Sequence, residues 1–323
     1  MIEYNKKNAR LWSIMGINPA IWSVGFADTI SNDKSVIVLT ADLKRYSGLQ
    51  RTFENYPDRC LNVGIAEQNM VGIAAGMSMC GFKTYMTTYA PFMTLRCADQ
   101  VRHLMGNLNL DMKAIGSAAG LSAGLSGPSL LAINDIALMR SIPNMTVLSP
   151  ADCMEAIKMM EAMRTINGPV YMRFCGATRI PVVYDDDYEF IVGKGKVLRQ
   201  GSDIALIATG TDLVSAALKA AEILADDQLS AQVVNIHTIK PLDNELIDSI
   251  AKKYRLIVTI EEHNIIGGLG SAVAERLTAS GFKGKQLFLG VEDKNYIAGN
   301  RAFMLDQAGL TAEKIVQNIK FVL

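Results

Sequence analysis

Glu67 is the residue whose setting most needs a chemical explanation. It stands in "LNVGIAEQNM" (61–70), between a basic, turn-prone stretch and a run of small and apolar residues that reads as a helix. An ionised carboxylate in an apolar interior is very costly, so such a group finds a partner or keeps its proton. A helix start also favours a carboxylate, through the helix dipole and the free amides. The expectation is that the partner of Glu67 lies outside this chain's side chains. Other chemistry-bearing residues are sparse. The three histidines (His103, His237, His263) are scattered, which leaves little material for a histidine metal site. The five cysteines (Cys60, Cys80, Cys97, Cys153, Cys175) lack C-x-x-C spacing and read as ordinary buried thiols. "GGLGSA" (267–272) lacks the G-x-G-x-x-G spacing and reads as a tight helix entry. "LTADLKRYSG" is no glycine fingerprint either, which weighs against a nicotinamide oxidoreductase.

These residues must be positioned by a chain of 323 residues, a length that suits two domains. Lys plus Arg and Asp plus Glu both number 32, so no net field draws the protein to nucleic acid or a membrane. Small-molecule chemistry is the default. Half the residues are apolar and aromatics are few, as in layered α/β proteins. The first twenty residues carry charges where a signal peptide needs an apolar core, and no later stretch reaches transmembrane length without polar residues, so a cytoplasmic protein is expected.

Strands and helices alternate along the chain. "SVIVLTADL" (35–43) reads as a buried parallel strand, "AEQNMVGIAAGMSMCG" (66–81) as a helix closed by Gly81, and "FKTYMTTY" (82–89) as the next strand. There follow a helix over "LRCADQVRHLMGN", strand and turn "MKAIGSAAG", a Gly/Ser loop "LSAGLSGPS" and a helix over "LLAINDIALMRSI". Strand "MTVLSP", helix "ADCMEAIKMMEAMRTI" and strand "PVYMRF" complete a doubly wound parallel-sheet domain over 1–178, with ligand groups expected near strand ends and helix starts. An irregular, charged segment (179–202) reads as a crossing between domains. A smaller α/β domain over 203–323 comprises strand "DIALIATG", helix "TDLVSAALKAAEILADD", strand "SAQVVNIHTI", turn "KPLD", strand "RLIVTIEE", a helix from "GGLGSAVAERL" and strand "KQLFLGV".

With the elements placed, several phrases in order resemble the C-terminal half of transketolase, as found in the separate C-terminal subunit of split transketolases. They are "ADL" (41–43), "FENYPDRCLNVGIAEQNM" (53–70), "TTYAPF" (87–92), "NDIALMRSIPNMTVLSPAD" (134–152), "HTIKPLD" (237–243) and "EEHNIIGGLGSAVAE" (261–275). The resemblance implies a thiamine diphosphate enzyme, with a pyrimidine-binding domain followed by the transketolase C-terminal domain. It implies that Glu67 is the catalytic acid that hydrogen-bonds N1′ of the cofactor's aminopyrimidine and favours the imino form, which takes the proton from C2 of the thiazolium. It implies that Tyr89 and Phe92 pack against the pyrimidine and that Asp42 lines the site, although Asp before a turn is also routine turn chemistry.

Two departures from the family pattern narrow the expectation. The Gly-Asp-Gly phrase that helps place a divalent metal on the diphosphate does not occur in this chain. The metal (Mg2+, or Ca2+ or Mn2+) is therefore expected on a separate N-terminal transketolase-like subunit, with self-association to an α2β2 assembly, and no metal ligand is expected in this chain. The second departure concerns substrate. Where the family reads Gly-Glu-Asp-Gly-(Pro/Ala)-Thr-His-Gln this chain has "GLSGPSLL" (124–131), so Ser126 replaces an acid, and Leu130 and Ala118 replace two histidines that contact substrate. Arg173 in "VYMRF" matches the family's phosphate-binding arginine and equally suits a surface or interface arginine after a strand. The resemblance implies a transketolase-like two-carbon transferase; because leucine leaves a buried sugar hydroxyl unpaired, the departures lead to the expectation of a donor or acceptor less hydroxylated than an ordinary ketose phosphate: pyruvate, another 2-oxo acid, or an unusual sugar. The missing groups could also come from the partner or from water. A β-type subunit of a 2-oxo acid decarboxylating enzyme and a non-catalytic scaffold are the competing readings.

Overall fold

The computed structural model describes residues 2–176 and 178–323. The strands of the first half are β1 (Val36–Thr40), β2 (Cys60–Asn62), β3 (Lys83–Tyr89), β4 (Met112–Ser117), β5 (Thr146–Leu148) and β6 (Val170–Arg173). Those of the second half are β7 (Lys196–Arg199), β8 (Ile204–Ala208), β9 (Ala231–Asn235), β10 (Thr238–Lys240), β11 (Leu256–Asn264) and β12 (Lys285–Val291). They form a seven-stranded sheet of order β10-β5-β6-β4-β3-β1-β2 and a five-stranded sheet of order β12-β11-β8-β9-β7. The strands β1 to β6 pair in parallel, and helices cover both faces, which is why "VIVLT" in β1 is apolar or β-branched throughout and buried at every position. The expected α/β architecture, a larger parallel-sheet unit followed by a smaller α/β unit, is the one observed.

Parallel pairing has a functional consequence. All the first-sheet strands from β1 to β6 end on one edge, so Asp42 after β1, Tyr89 ending β3, Ala118 after β4 and Arg173 ending β6 share that edge. The register sets Tyr89 directly beside Ser117, and Ala118 follows it.

Local differences from the sequence reading have physical causes. The helix expected from Leu130 begins only at Asp135, because Ala132 exchanges two backbone hydrogen bonds with Gly120 (3.0 and 3.1 Å) and so is taken out of the helical hydrogen-bond pattern. The helix expected over 95–107 is interrupted by wide π-type turns at Phe92–Arg96 and Val101–Asn107. The segment expected to be one strand through Ile239 divides, and β10 leaves the second sheet to pair antiparallel with β5 in the first. The crossing segment supplies β7, antiparallel to β9. Cys80 is exposed, whereas the other four cysteines are buried as expected. Among the described residues no helix is long and apolar enough to cross a membrane.

Buried polar groups tie the halves together. Asp152 caps the helix Cys153–Ala162 through Glu155 N (2.9 Å) and also accepts from Val183 N and Tyr184 N (2.9 and 2.8 Å), which straps the crossing segment to the first unit. Glu155 accepts from Asn235 Nδ2 of β9 at 3.0 and 2.9 Å and from Tyr188 Oη at 2.8 Å. On the other side, His263 of β11 is fully buried against the helix Asp135–Ser141. Its Nδ1 donates to Asn264 O (2.7 Å) and its Nε2 accepts from Ala137 N (3.3 Å), a pairing that assigns the neutral ring. Burial dominates and, with the nearby Arg173 charge, holds the imidazole down to about 4, although Asp135, 4.0 Å away, favours protonation.

A folded value of about 4 against 6.5 means that His263 contributes stability above pH 6.5 that is lost as pH falls through about 4, a difference of roughly 3 kcal/mol. The variant His263→Gln should therefore show an acid-side slope of unfolding free energy smaller by about one proton between those pH values, as read from urea unfolding. An unchanged slope would show that the ring is not held neutral.

Candidate active site

Glu67 is the first residue of the helix Glu67–Met79, and only 4% of it is exposed. Its sequence neighbours Ile65, Gln68 and Asn69 are exposed, as are Gly72, Gly76 and Met79 further along the helix. The expectation that no side chain of this chain partners Glu67 is corrected by the structure. Arg96 Nη1 donates to Glu67 Oε1 at 2.9 Å. Gln68 Nε2 donates to Arg96 O at 3.0 Å, so the helix start and the turn after β3 are fastened twice. A buried carboxylate needs such a cation or an equivalent donor, and here the sequence supplies one from a segment twenty-nine positions away.

Arg96 also identifies what shares its space. Its guanidinium lies over the Phe92 ring at 3.9 Å from the centroid, and the Phe92 and Tyr89 rings lie 6.0 Å apart at a tilt of 35°. Both rings are half-buried. Burial raises the Tyr89 phenol, with a smaller contribution from Tyr46, so it stays a neutral hydroxyl at ordinary pH. Glu67, Tyr89 and Phe92 are thus brought together, with Arg96 bridging the acid and the second ring. Asp42 is exposed, in the left-handed region at φ 59°, and pairs with Asn62 at the end of β2: its N–H donates to Asn62 Oδ1 (2.9 Å) and its Oδ1 accepts from Asn62 Nδ2 (3.2 Å). It stands on the rim, in turn chemistry.

The residues expected on the substrate side separate into two groups. Ala118 (φ 50°) lies beside the end of β3, and Ala90, Ala119, Ala132 and Cys175 pack into one small cluster that joins the aromatic turn to the loop 121–130. Ser126 is exposed and Leu130 half-buried, each on a short 3-10 turn of that loop (Gly124–Ser126 and Pro128–Leu130). Of the sequence readings of Arg173, a place at an interface fits, since it bonds across to β11 of the second half. It is 1% exposed, neither a surface arginine nor an open anion contact: Nε donates to Asp135 Oδ2 at 2.7 Å and Nη2 to Glu262 O at 3.1 Å, and Tyr171 Oη donates to the same Asp135 oxygen at 2.7 Å.

Comparison with known proteins gives this geometry its context. Residues 23–176 match the transketolase pyrimidine-binding domain and residues 193–315 the transketolase C-terminal domain. The chain is 36% identical over 288 residues to a putative transketolase C-terminal section of Methanocaldococcus jannaschii, covering 88% of this chain and 90% of that one. It is 36% identical over 285 residues to a 6-deoxy-6-sulfo-D-fructose transketolase subunit of a Clostridium species, covering 88% of each. A split-gene transketolase solved as an inactive β4 tetramer superimposes with a TM-score of 0.84 at 33% identity, covering 95% of this chain and 97% of that one. The chain belongs to the transketolase family and corresponds to the C-terminal subunit of its split members, which are transferases. The readings as a 2-oxo acid dehydrogenase β-subunit and as a scaffold are not favoured.

This family implies thiamine diphosphate, and the residues present fit its aminopyrimidine half. A flat, donor-bearing heterocycle needs a buried acid beside apolar ring faces, and Glu67 with the Tyr89 and Phe92 rings supplies those residue types. Among the described residues no group of three His, Cys, Asp or Glu side chains is placed to hold a metal ion.

Sequence reasoning missed Arg96 and Glu262. The spacing Tyr89, Phe92, Arg96 would set all three on one face of a helical turn, and adjacent acids in "LIVTIEEHN" interrupt an otherwise apolar strand, so both signals were present.

Because Arg96 is 45% exposed, its pair with Glu67 is worth less than a fully buried one: Arg96→Ala should destabilise the chain by about 1–2 kcal/mol. Combined with Glu67→Gln, the two losses should fall short of additivity by about 1 kcal/mol in urea unfolding. Strict additivity would show that the two groups do not interact.

Proposed function

We propose that this chain is the pyrimidine-holding subunit of a thiamine diphosphate-dependent transferase that moves a two-carbon unit between a keto donor and an aldehyde or keto acceptor. The observation that carries the reading is a buried Glu67 carboxylate at a helix start, brought beside the Tyr89 and Phe92 rings. When bound, thiamine diphosphate supplies an electron sink for the carbon–carbon bond next to the donor carbonyl. Glu67 holds and shares the proton at N1′ of the aminopyrimidine, a task that needs a carboxyl group in a site screened from water. Tyr89 and Phe92 bury the faces of that ring and keep water off it, with Asp42 on the polar rim. The diphosphate and the divalent metal, Mg2+ or in its place Ca2+ or Mn2+, belong to an N-terminal partner subunit, and two copies of each chain form an α2β2 assembly in the cytoplasm. The exposed sequence neighbours of Glu67 suit a site completed by a neighbouring chain.

On the substrate side, Ala118, Ser126 and Leu130 present no charge, and Arg173 is committed to Asp135 and a backbone carbonyl. That supports a substrate other than an ordinary sugar phosphate: pyruvate, another 2-oxo acid, or an unusual sugar. The Clostridium relative is named for a sulfo sugar, which favours the last of these.

The test is product analysis with the partner subunit, cofactor and Mg2+ present. A pyruvate donor must release carbon dioxide, and a ketose phosphate donor an aldose phosphate shorter by two carbons; efficient use of fructose 6-phosphate would refute the substrate reading. Glu67→Gln keeps the shape and should lower transfer by about 10²- to 10⁴-fold. Activity near the unmodified level would remove Glu67 from the chemistry. The double change Ser126→Asp with Leu130→His should raise the kcat/KM for a ketose phosphate by about tenfold or more. No gain would count against the assignment of that loop.

A further inference from the structure

The second domain reaches the loop 121–130 at several points. Glu262 Oε1 accepts from Leu121 N at 2.7 Å, Arg301 Nη1 donates to Ser122 Oγ at 3.1 Å, and Gly299 N donates to Gly124 O at 3.3 Å. The approach is close enough to exclude side chains at Gly120, just before the loop, and at Gly124 within it. A Cβ on Gly120 would sit 2.5 Å from Glu262 Oε1, and one on Gly124 would sit 2.6 Å from Gly299 O and 2.5 Å from Met304 Cγ. Ser122 Oγ is a junction in its own right, since it also accepts from Gly176 N at 2.8 Å and donates to Ala119 O at 2.6 Å.

Arg301 stands at the centre of these contacts. Nη1 and Nη2 donate to the two Glu262 oxygens at 2.7 and 2.6 Å, and Nε and Nη2 donate to Asp212 Oδ2 at 3.0 and 2.7 Å. With the Ser122 bond this makes five hydrogen bonds to three side chains. Only a planar guanidinium presents donors in that fixed fork, whereas a lysine ammonium is a point charge on a flexible stem. Glu262 is 1% exposed, so its charge depends on Arg301 for compensation.

We propose that Arg301 is a positioning residue for substrate selection: through Glu262 and Ser122 it sets, from the second domain, the placement of the loop that carries Ser126 and Leu130. The inference rests on the reading of that loop as the substrate side. On this account the second domain tunes specificity without touching substrate. Cofactor binding is set elsewhere, by Glu67, Tyr89 and Phe92, so a loosened loop changes substrate affinity and leaves cofactor affinity alone.

The test uses the full chain, alone for amide exchange and with its N-terminal partner, thiamine diphosphate and Mg2+ for kinetics. The variants are Arg301→Lys, which keeps charge but not the fork, and Ser122→Ala, a mild change that removes one junction atom. Hydrogen exchange at residues 121–126 should quicken by about tenfold or more in Arg301→Lys and by less in Ser122→Ala. Cofactor affinity should stay within about twofold. For whichever of pyruvate, fructose 6-phosphate and 6-deoxy-6-sulfo-D-fructose the unmodified complex uses best, KM should rise about tenfold with kcat within about threefold. Unchanged exchange in both variants overturns the proposal, as does a fall in cofactor affinity together with kcat, which would mark general structural damage. Faster exchange with unchanged KM also overturns it. In that case, altered substrate preference in the Ser126→Asp, Leu130→His double variant would leave the loop's substrate role standing. No effect there would remove that role as well.

Discussion

Taking the Glu67 carboxylate out of water costs several kcal/mol unless a donor meets it, and much of the first domain is arranged around meeting that requirement. Glu67 stands in the first turn of the helix Glu67–Met79, where the helix dipole favours a negative charge. The turn after β3 brings Arg96, fixed at its backbone by Gln68 and at its head by the Phe92 ring. A carboxylate satisfied this way is held in one orientation beside two aromatic faces, which is the arrangement a heterocycle-activating acid needs.

The parallel sheet turns this local solution into a site. Because β1 to β6 run the same way, their ends bring residues far apart in the chain to one edge, and the neighbouring register of β3 and β4 sets the aromatic turn beside the start of the loop 121–130. The same edge has an inner layer. Arg173, Asp135 and Tyr171 form a buried network behind it, with His263 from the second domain packed alongside. An arginine in that network is part of the scaffold, whatever its match to an anion-binding position.

The second domain is joined to the first by polar contacts as well as apolar packing. β10 extends the first sheet, Asn235 meets Glu155, and Glu262 with Arg301 meets the loop. Buried ionic contacts of this kind are costly to misplace, so they fix the relative setting of the elements more sharply than apolar burial does. The loop that differs most from the family pattern is also the one these contacts hold.

Much of this was legible in the residues alone. Continuous apolar runs such as "VIVLT" announced buried parallel strands, and the order of strands and helices announced the doubly wound unit, because side-chain burial is written directly into periodicity. The glutamate phrase and the two aromatics announced the residues proposed to hold the cofactor, since a motif carries its residue types wherever the chain goes. Tertiary structure decided what depends on partners distant in sequence. It paired Glu67 with Arg96, drew Arg173 inward to Asp135, delayed the helix at Asp135 through the bond between Gly120 and Ala132, and sent β10 into the first sheet. Each of these follows from a hydrogen bond or ion pair formed only after the chain has folded back on itself, and neither periodicity nor motif encodes where a charge will find its opposite.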